Sequence, residues 1–139
     1  MSAQVVIGLS AVVVAVTEDA PHVLVRAGAG GLDELPFGPF DPSGDRTLEL
    51  SLRQWVSAQT GFEIGYVEQL YTFGDRGREA PLPDARGDSD RVISVGYLAL
   101  TPNRAALGAG DWRDWYRFFP WEDWRGGRPA VVDEAIAPH

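Results

Sequence analysis

Three arginine side chains at the ends of predicted strands could bind a phosphate group. Arg26 ends one strand, Arg91 begins another, and Arg76 follows a turn at Gly74. A guanidinium group is planar and always charged, so it can bind a diphosphate without a metal ion. A flat ring attached to that diphosphate would need an aromatic face to stack on. The candidates for stacking are Phe37, Tyr71 and Phe73.

The same residues also have a purely structural interpretation. Tyr71 and Phe73 could be core residues of a strand, since aromatic side chains are often buried. The arginines could form surface ion pairs with the many acidic residues, and such pairs indicate no binding site. The sequence leaves both interpretations open.

Residues for metal-dependent or triad catalysis are scarce in this chain. The predicted helix, from about residue 47 to residue 59, contains one carboxylate, Glu49, near its start. A hard cation such as Mg²⁺ needs several oxygen ligands. The chain has no cysteine and 2 histidines, His22 and His139, which argues against a thiolate site, a histidine metal site and a Ser-His-Asp triad. We therefore predict no catalytic residue, no bound metal and no cofactor.

Length and charge narrow the class of protein. The chain has 139 residues and is 45% hydrophobic, so we expect a single globular domain over residues 1–139. A net charge of −8 repels nucleic-acid backbones, so we do not expect this chain to bind DNA by itself. The absence of cysteine fits a reducing compartment, and we predict a cytoplasmic protein. The apolar segment Val5–Val16 is shorter than the roughly 20 residues that cross a bilayer, so no membrane association is predicted.

Hydrophobic patterning predicts four strands and a central helix. The strands are Val5–Val16 and residues 23–26, 66–73 and 92–100. The helix at residues 47–59 has Asp45 or Thr47 as its N-cap and Gly61 as its C-terminal stop. Its apolar stripe consists of Leu48, Leu52, Trp55 and Val56. The order of these elements predicts an α+β fold, with a mixed sheet flanked by helices.

An aromatic block occupies residues 112–124. It consists of Trp112, Trp115, Tyr116, Phe118, Phe119, Trp121 and Trp124. These residues could close the core against the sheet, because aromatic side chains bury large areas. They could also form a dimer surface with Arg113, Arg117 and Arg125, since tryptophan and arginine are enriched at interface centres. Both interpretations could hold at once.

The segment around the predicted helix resembles a Nudix box. Leu35-Pro36-Phe37-Gly38 leads into a turn, and the helix ends in Gln59-Thr60-Gly61-Phe62. When the Nudix box is aligned with this chain so that its closing glycine falls on Gly61, its arginine position contains Gln54. Its metal-binding glutamate positions contain Trp55, Ala58 and Gln59. The resemblance therefore implies a Nudix domain that has kept the fold and lost the hydrolase activity.

Further segments resemble the Nudix-related regulators of NAD metabolism, the NrtR-like group. They are Tyr71-Thr72-Phe73-Gly74-Asp75-Arg76, residues 91–97, Trp121-Glu122-Asp123-Trp124, Arg128-Pro129 and Asp133-Glu134. The resemblance implies a Nudix-type mixed sheet sandwiched between helices, which senses ADP-ribose, NAD or a related adenine nucleotide. In that group a winged-helix domain follows and binds DNA. We therefore expect this chain to be the N-terminal module of a longer protein, to act as a homodimer, and to reach DNA only through a domain outside these residues.

The ligand-binding residues predicted in this way are Arg26, Phe37, Tyr71, Phe73, Asp75, Arg76 and Arg91. Two other functions stay open. A Nudix hydrolase of nucleoside diphosphate derivatives would have to take its metal ligands from the acids of one loop: Asp75, Asp84, Asp88 and Asp90. A dimerisation module without a ligand would use the aromatic block.

Overall fold

A computed structural model describes residues 5–16, 20–74, 91–101 and 110–136. Two of the predicted ligand-binding residues, Asp75 and Arg76, lie outside these ranges. The same holds for Asp84, Asp88 and Asp90, the acids that the hydrolase alternative requires. Within the described ranges, none of the helices is long and apolar enough to cross a membrane.

In the part of the chain that the structure describes, strands and one regular α-helix form a mixed layered fold. The strands are β1 Val5–Val16, β2 Pro21–Ala27, β3 Asp33–Glu34, β4 Phe37–Pro39, β5 Glu68–Phe73, β6 Arg91–Thr101 and β7 Asp111–Asp114. The helix α1 spans Leu48–Thr60. Shorter helical turns occupy Ala29–Gly31, Trp115–Arg117, Pro120–Glu122 and Val132–Ile136. The predicted α+β class and mixed sheet are confirmed.

The long strand β1 lies at the centre of the sheet. It pairs in parallel with β6, from Val5 opposite Arg91 to Ala15 opposite Thr101. It pairs antiparallel with β2 and with β4. The order across the sheet is β3-β2-β1-β6-β5, with β7 attached to β2. Among the described strands β5 pairs with β6 alone and therefore lies at an edge.

All four predicted strands are present, with small differences at their ends. For example, β2 spans Pro21–Ala27 where residues 23–26 were predicted, and β5 begins at Glu68 where residue 66 was predicted. The strands β3, β4 and β7 were not predicted. They have 2, 3 and 4 residues, which is too short for an alternating hydrophobic pattern to be recognised.

Both faces of β1 are covered by other parts of the chain. Leu9 and Val13 are 1% and 0% exposed and belong to the core cluster that contains Leu52 of α1. Val6 and Val14, which point to the opposite face, are also buried. A strand that is covered on both faces needs apolar residues at nearly every position. This explains the run of valines that the sequence shows from its fifth residue.

The predicted helix ends are confirmed, and Thr47 is the N-cap. Its Oγ1 accepts a hydrogen bond of 3.0 Å from the backbone N–H of Leu50. At the other end Gly61 has a φ of 78° and donates its N–H to the Ser57 carbonyl over 2.8 Å. This left-handed backbone conformation favours glycine, which has no Cβ to clash with the backbone. Asp45, the other capping candidate, instead accepts from the Ser51 hydroxyl, at 2.9 Å.

The aromatic block divides into a buried part and an exposed part. Trp112 on β7 packs edge-to-face on Phe62, with 5.3 Å between ring centroids, and contacts the core. Trp121 and Trp124 are 41% and 54% exposed. The core interpretation is therefore confirmed for Trp112. The dimer interpretation stays a prediction for the exposed residues.

The contact between β4 and α1 leaves no room for a side chain on Gly38. A Cβ placed there would lie 2.2 Å from the indole ring of Trp55. We expect Gly38→Ala to lower the free energy of unfolding by about 1–3 kcal/mol, because the indole must move or the strand must lift. Urea denaturation with an unchanged m value would measure this loss.

Gly65→Ala is the matched control for that substitution. A Cβ at Gly65 meets nothing within 4 Å, and Gly65 is not among the positive-φ glycines. Its free energy of unfolding should stay within about 0.5 kcal/mol of the parent protein. Equal losses for both variants would contradict the packing of Trp55 on Gly38.

Candidate functional site

The side chain of Gln59, near the end of α1, pairs with the backbone of Phe37 in β4. The Gln59 Nε2 donates to the Phe37 carbonyl over 2.6 Å, and the Phe37 N–H donates to Gln59 Oε1 over 3.1 Å. A primary amide has both a donor and an acceptor, so it can satisfy both backbone groups of one residue. A carboxylate has acceptors only, and it could satisfy only one of them.

Trp55, one helical turn earlier, contacts the same short strand. Its Nε1 donates to the Pro39 carbonyl over 3.0 Å, while its ring lies against Gly38. Ala58, between these two positions on the helix, is exposed. Two of the three positions that the sequence resemblance assigned to metal-binding glutamates, Trp55 and Gln59, therefore hold β4 on the helix. The third has no polar atom in its side chain.

The carboxylates in the described ranges do not fit a divalent metal. No group of three or more His, Asp or Glu side chains among the described residues is arranged to hold a metal ion. Glu49, the carboxylate of the helix, lies 3.5 Å from Arg53 Nε. Arg53 in turn donates to the Ile64 carbonyl over 2.6 Å. The Glu49 carboxylate is thus paired with a cation on its own helix.

Arg26 and Phe37 come together next to this strand. The guanidinium carbon of Arg26 lies 4.8 Å from the centre of the Phe37 ring, within the range of a cation–π contact. Its Nε is 3.8 Å from Glu34 Oε2, a long ion pair. Phe37 is partly buried and packs on Val6 and Val92. The Arg26 side chain thus contacts described residues through this ion pair and the cation–π contact.

Tyr71 and Phe73 form a second aromatic pair on the edge strand β5. Their ring centroids are 4.7 Å apart and their planes are tilted by 54°. The two side chains are 61% and 42% exposed. The structural interpretation that they are core residues is therefore wrong. Exposed aromatic residues at an edge strand are available to contact a ligand or a partner.

The strand register places both aromatic groups on one face of the sheet. Tyr71 lies opposite Gly96, Gly96 opposite Ser10, and Ser10 opposite Phe37. Three strand spacings separate the Cα atoms of Tyr71 and Phe37, about 14 Å. The residues between them have small side chains or none. We call this line from Phe37 to Tyr71 the cross-sheet row.

A parallel line of residues runs beside the cross-sheet row. Phe73 lies opposite Ser94, and Ser94 lies opposite Gly8. Glycine and serine at alternate positions of two valine-rich strands are unusual, because a strand gains stability from large apolar side chains. This alternation is visible in the sequence at residues 8, 10, 94 and 96. It is the signal by which this surface could have been recognised from the sequence.

Arg91 does not join the other predicted residues. It lies opposite Val5, which by strand alternation belongs to the face that carries Leu9 and α1. Its Nη1 donates to the Gly74 carbonyl over 3.1 Å and so ties the start of β6 to the end of β5. The structure thus groups Arg26 with Phe37 and Tyr71 with Phe73. It places Arg91 at the base of the opposite face.

The amide of Gln59 leads to a prediction about charge. In Gln59→Glu the carboxylate cannot donate to the Phe37 carbonyl, so we expect the free energy of unfolding to fall by about 1–3 kcal/mol at pH 7. In the folded variant one carboxylate oxygen would face the Phe37 carbonyl oxygen, and the repulsion between them raises the pKa of the new glutamate. The loss should therefore shrink as the pH falls through this raised pKa and level off near about pH 4.3, the usual pKa of glutamate, because a neutral carboxyl can donate. Urea titrations at several pH values would measure it.

Gln54→Glu introduces the same charge on the same helix and serves as the control. Gln54 is exposed, and its side chain makes no hydrogen bond to another described residue. Its free energy of unfolding should change by less than about 0.5 kcal/mol. If the two variants lose the same stability at pH 7, the amide pairing does not hold β4 on α1.

Similar proteins were found by structure and not by sequence. No family model matches the chain, and no curated protein matches it. The NUDIX domain of Shewanella oneidensis NrtR complexed with ADP ribose matches with a TM-score of 0.63 and 23% identity, over 99% of this chain and 86% of that chain. S. oneidensis NrtR itself matches with a TM-score of 0.58 and 26% identity, over 84% of this chain.

The structure of S. oneidensis NrtR complexed with a 27mer DNA is also similar, with a TM-score of 0.58 and 24% identity over 94% of this chain. This chain spans 54% and 58% of the length of the two longer NrtR chains. The similarity in structure extends over nearly all of this chain, and it confirms the fold that the sequence resemblance implied. The chain therefore has the Nudix fold, in a form related to that of the NrtR Nudix domain.

Proposed function

We propose that this domain binds ADP-ribose, NAD or a related adenine nucleotide without hydrolysing it, and that it serves as the sensing domain of a transcriptional regulator of NAD biosynthesis. The observation that carries the proposal is the pairing of Gln59 with Phe37. The helix position that aligns with a metal-binding glutamate holds a neighbouring strand. The NrtR Nudix domain, which has a similar fold, is complexed with ADP ribose in its crystal structure.

Arg26 is the residue to which we assign the diphosphate. It lies at the end of β2, beside Phe37, and it keeps N–H donors available because its ion pair with Glu34 is long at 3.8 Å. A phosphate oxygen within hydrogen-bond distance would form a stronger, charge-assisted contact than that pair. The ligand would then be positioned by a cation that is present in the protein, and no metal ion would be needed.

Sensing also requires that the ligand changes something beyond its own site. We propose a cytoplasmic homodimer in which bound nucleotide shifts the balance between two arrangements of the subunits. Such a shift needs a different affinity for each arrangement. DNA would be bound by a domain outside this chain. NrtR, which matches over part of its length, is complexed with a 27mer DNA in one of its structures.

Calorimetric titration of ADP-ribose tests the proposal, first in EDTA and then with magnesium. We expect micromolar binding in both conditions and no product of hydrolysis, because the helix positions that the resemblance assigns to metal-binding glutamates contain Trp55, Ala58 and Gln59. Heat that appears only with magnesium, together with product, would establish a hydrolase instead. No binding of ADP-ribose or NAD in either condition would leave a dimerisation module as the better account.

Replacing the cation tests the role of Arg26. In Arg26→Met we expect the dissociation constant for ADP-ribose to rise about 10- to 100-fold, the cost of losing a hydrogen bond to a charged group. Arg128→Met is the control, since it removes an arginine that pairs with Asp133 and is not among the predicted ligand-binding residues. If both variants bind like the parent protein, Arg26 does not contact the ligand.

A further inference from the structure

A cavity of about 270 Å³ lies on the sheet face that carries the cross-sheet row. Its floor is formed by Val12 of β1 with Val23 and Val25 of β2. Val12 follows Ser10 by two residues and therefore points to the same face, about 7 Å further along the strand. The cavity and the row are thus neighbouring parts of one surface.

An aromatic wall closes one side of this cavity. Trp115 stacks on Phe119, with 4.6 Å between ring centroids and 25° between ring planes. The indole Nε1 of Trp115 donates to Glu122 Oε1 over 3.0 Å, which satisfies the polar atom of the ring. The wall therefore presents aromatic surface to the cavity, while the indole N–H of Trp115 is already bonded to Glu122. Such a surface favours an apolar or aromatic guest.

Asp33 supplies the polar group of the cavity. Arg113 Nε and Arg117 Nη1 approach the same carboxylate oxygen, Oδ2, at 3.2 Å and 3.6 Å. The other oxygen, Oδ1, has no hydrogen-bond partner among the described residues. The Asp33 side chain is 15% exposed. Two cations compensate its charge, so Oδ1 remains as a single acceptor beside an apolar space.

We propose that this cavity holds the base of the bound nucleotide, a flat uncharged heterocycle whose exocyclic amino group donates to Asp33 Oδ1. The inference rests on the proposed function and adds the place and chemistry of base recognition. A cavity of about 270 Å³ is smaller than most complete ligand sites, which have roughly 300–1,000 Å³. It fits a ring and leaves the sugar and phosphates outside.

The path from the cavity to Arg26 is short. Leu35 lines the cavity and lies two residues before Phe37. The centre of the Phe37 ring is 4.8 Å from the guanidinium carbon of Arg26. A nucleotide with its base against Trp115 would therefore extend its phosphates toward Arg26. Base and diphosphate would have separate recognition groups on neighbouring strands.

The first test changes the ligand and leaves the protein intact. Calorimetry would compare ADP with purine riboside 5′-diphosphate, which lacks the exocyclic amino group. We expect the second compound to bind at least about tenfold more weakly, since a lost hydrogen bond to a charged acceptor costs about 1.5–3 kcal/mol. Equal affinity for the two compounds would overturn the assignment of Asp33.

The second test fills the cavity by Val12→Phe. We expect the dissociation constant for ADP-ribose to rise at least tenfold, while ribose 5-phosphate, which has no base, binds as it does to the parent protein. Val16→Phe is the matched control, because Val16 lies on the same face of the same strand and is 52% exposed at its end. Melting curves would confirm that both variants are folded.

The outcomes separate this inference from the proposed function. Suppose that ADP-ribose binds to the parent protein, that Arg26→Met lowers its affinity and that Val12→Phe leaves its affinity unchanged. In that case the base lies elsewhere and the sensor proposal stands. If ADP-ribose does not bind to the parent protein, both proposals fall together. If Val12→Phe and Val16→Phe lower the affinity for ADP-ribose by the same factor, the cavity is not the base site.

Discussion

The pairing of the Gln59 side-chain amide with the backbone of Phe37 is the contact on which the geometry of the candidate site depends. The strand β4 has 3 residues, too few to be stable by strand pairing alone. Gln59 adds two hydrogen bonds to it from the helix, and Trp55 adds a third. These contacts fix the backbone of Phe37, and through it the ring that lies beside Arg26. The end of α1 thereby determines where the aromatic residue and the guanidinium meet.

The electrostatics of this face differ from those of the chain as a whole. A net charge of −8 repels anions at long range, but salt screens that repulsion beyond about 8 Å under physiological conditions. At contact distance the relevant groups are Arg26 near Glu34 and the arginines around Asp33. The proposed recognition of a nucleotide diphosphate would therefore depend on hydrogen bonds at short range, and long-range electrostatic steering would not assist it.

Much of the fold was predictable from the sequence, because its main elements have strong local signals. The valine-rich strands alternate or run continuously apolar, and the helix begins at a threonine cap and ends at a glycine stop. The very short strands escaped prediction because their positions are set by pairing with β1 and β2 and not by their own residues. Which rings of the aromatic block are buried was also not predictable, because their burial depends on residues from other parts of the chain that pack against them.

The candidate site was only partly predictable. Arg26, Phe37, Tyr71 and Phe73 were identified by residue type. The register then placed Phe37, Tyr71 and Phe73 on one face, and a cation–π contact places Arg26 beside Phe37. Arg91 was selected on the same grounds, but the parity of its position on β6 puts it on the other face. Asp33 and its two arginines were not identified, because residues about 80 positions apart carry no mutual signal in a single sequence. Only the pairing of β7 with β2 brings Arg113 near Asp33.

The amide of Gln59 also constrains how this sequence can evolve. A metal site in α1 would need several new carboxylates, and no single one of them is enough to bind the ion. The exchange of Gln59 for glutamate removes a donor to β4 at once, whereas any metal binding comes only after the other exchanges. An intermediate that carries Gln59→Glu alone is therefore expected to be less stable, with no metal site on α1 to offset the loss. Because natural domains have only a narrow margin of stability, this cost opposes the stepwise evolution of a metal site on α1.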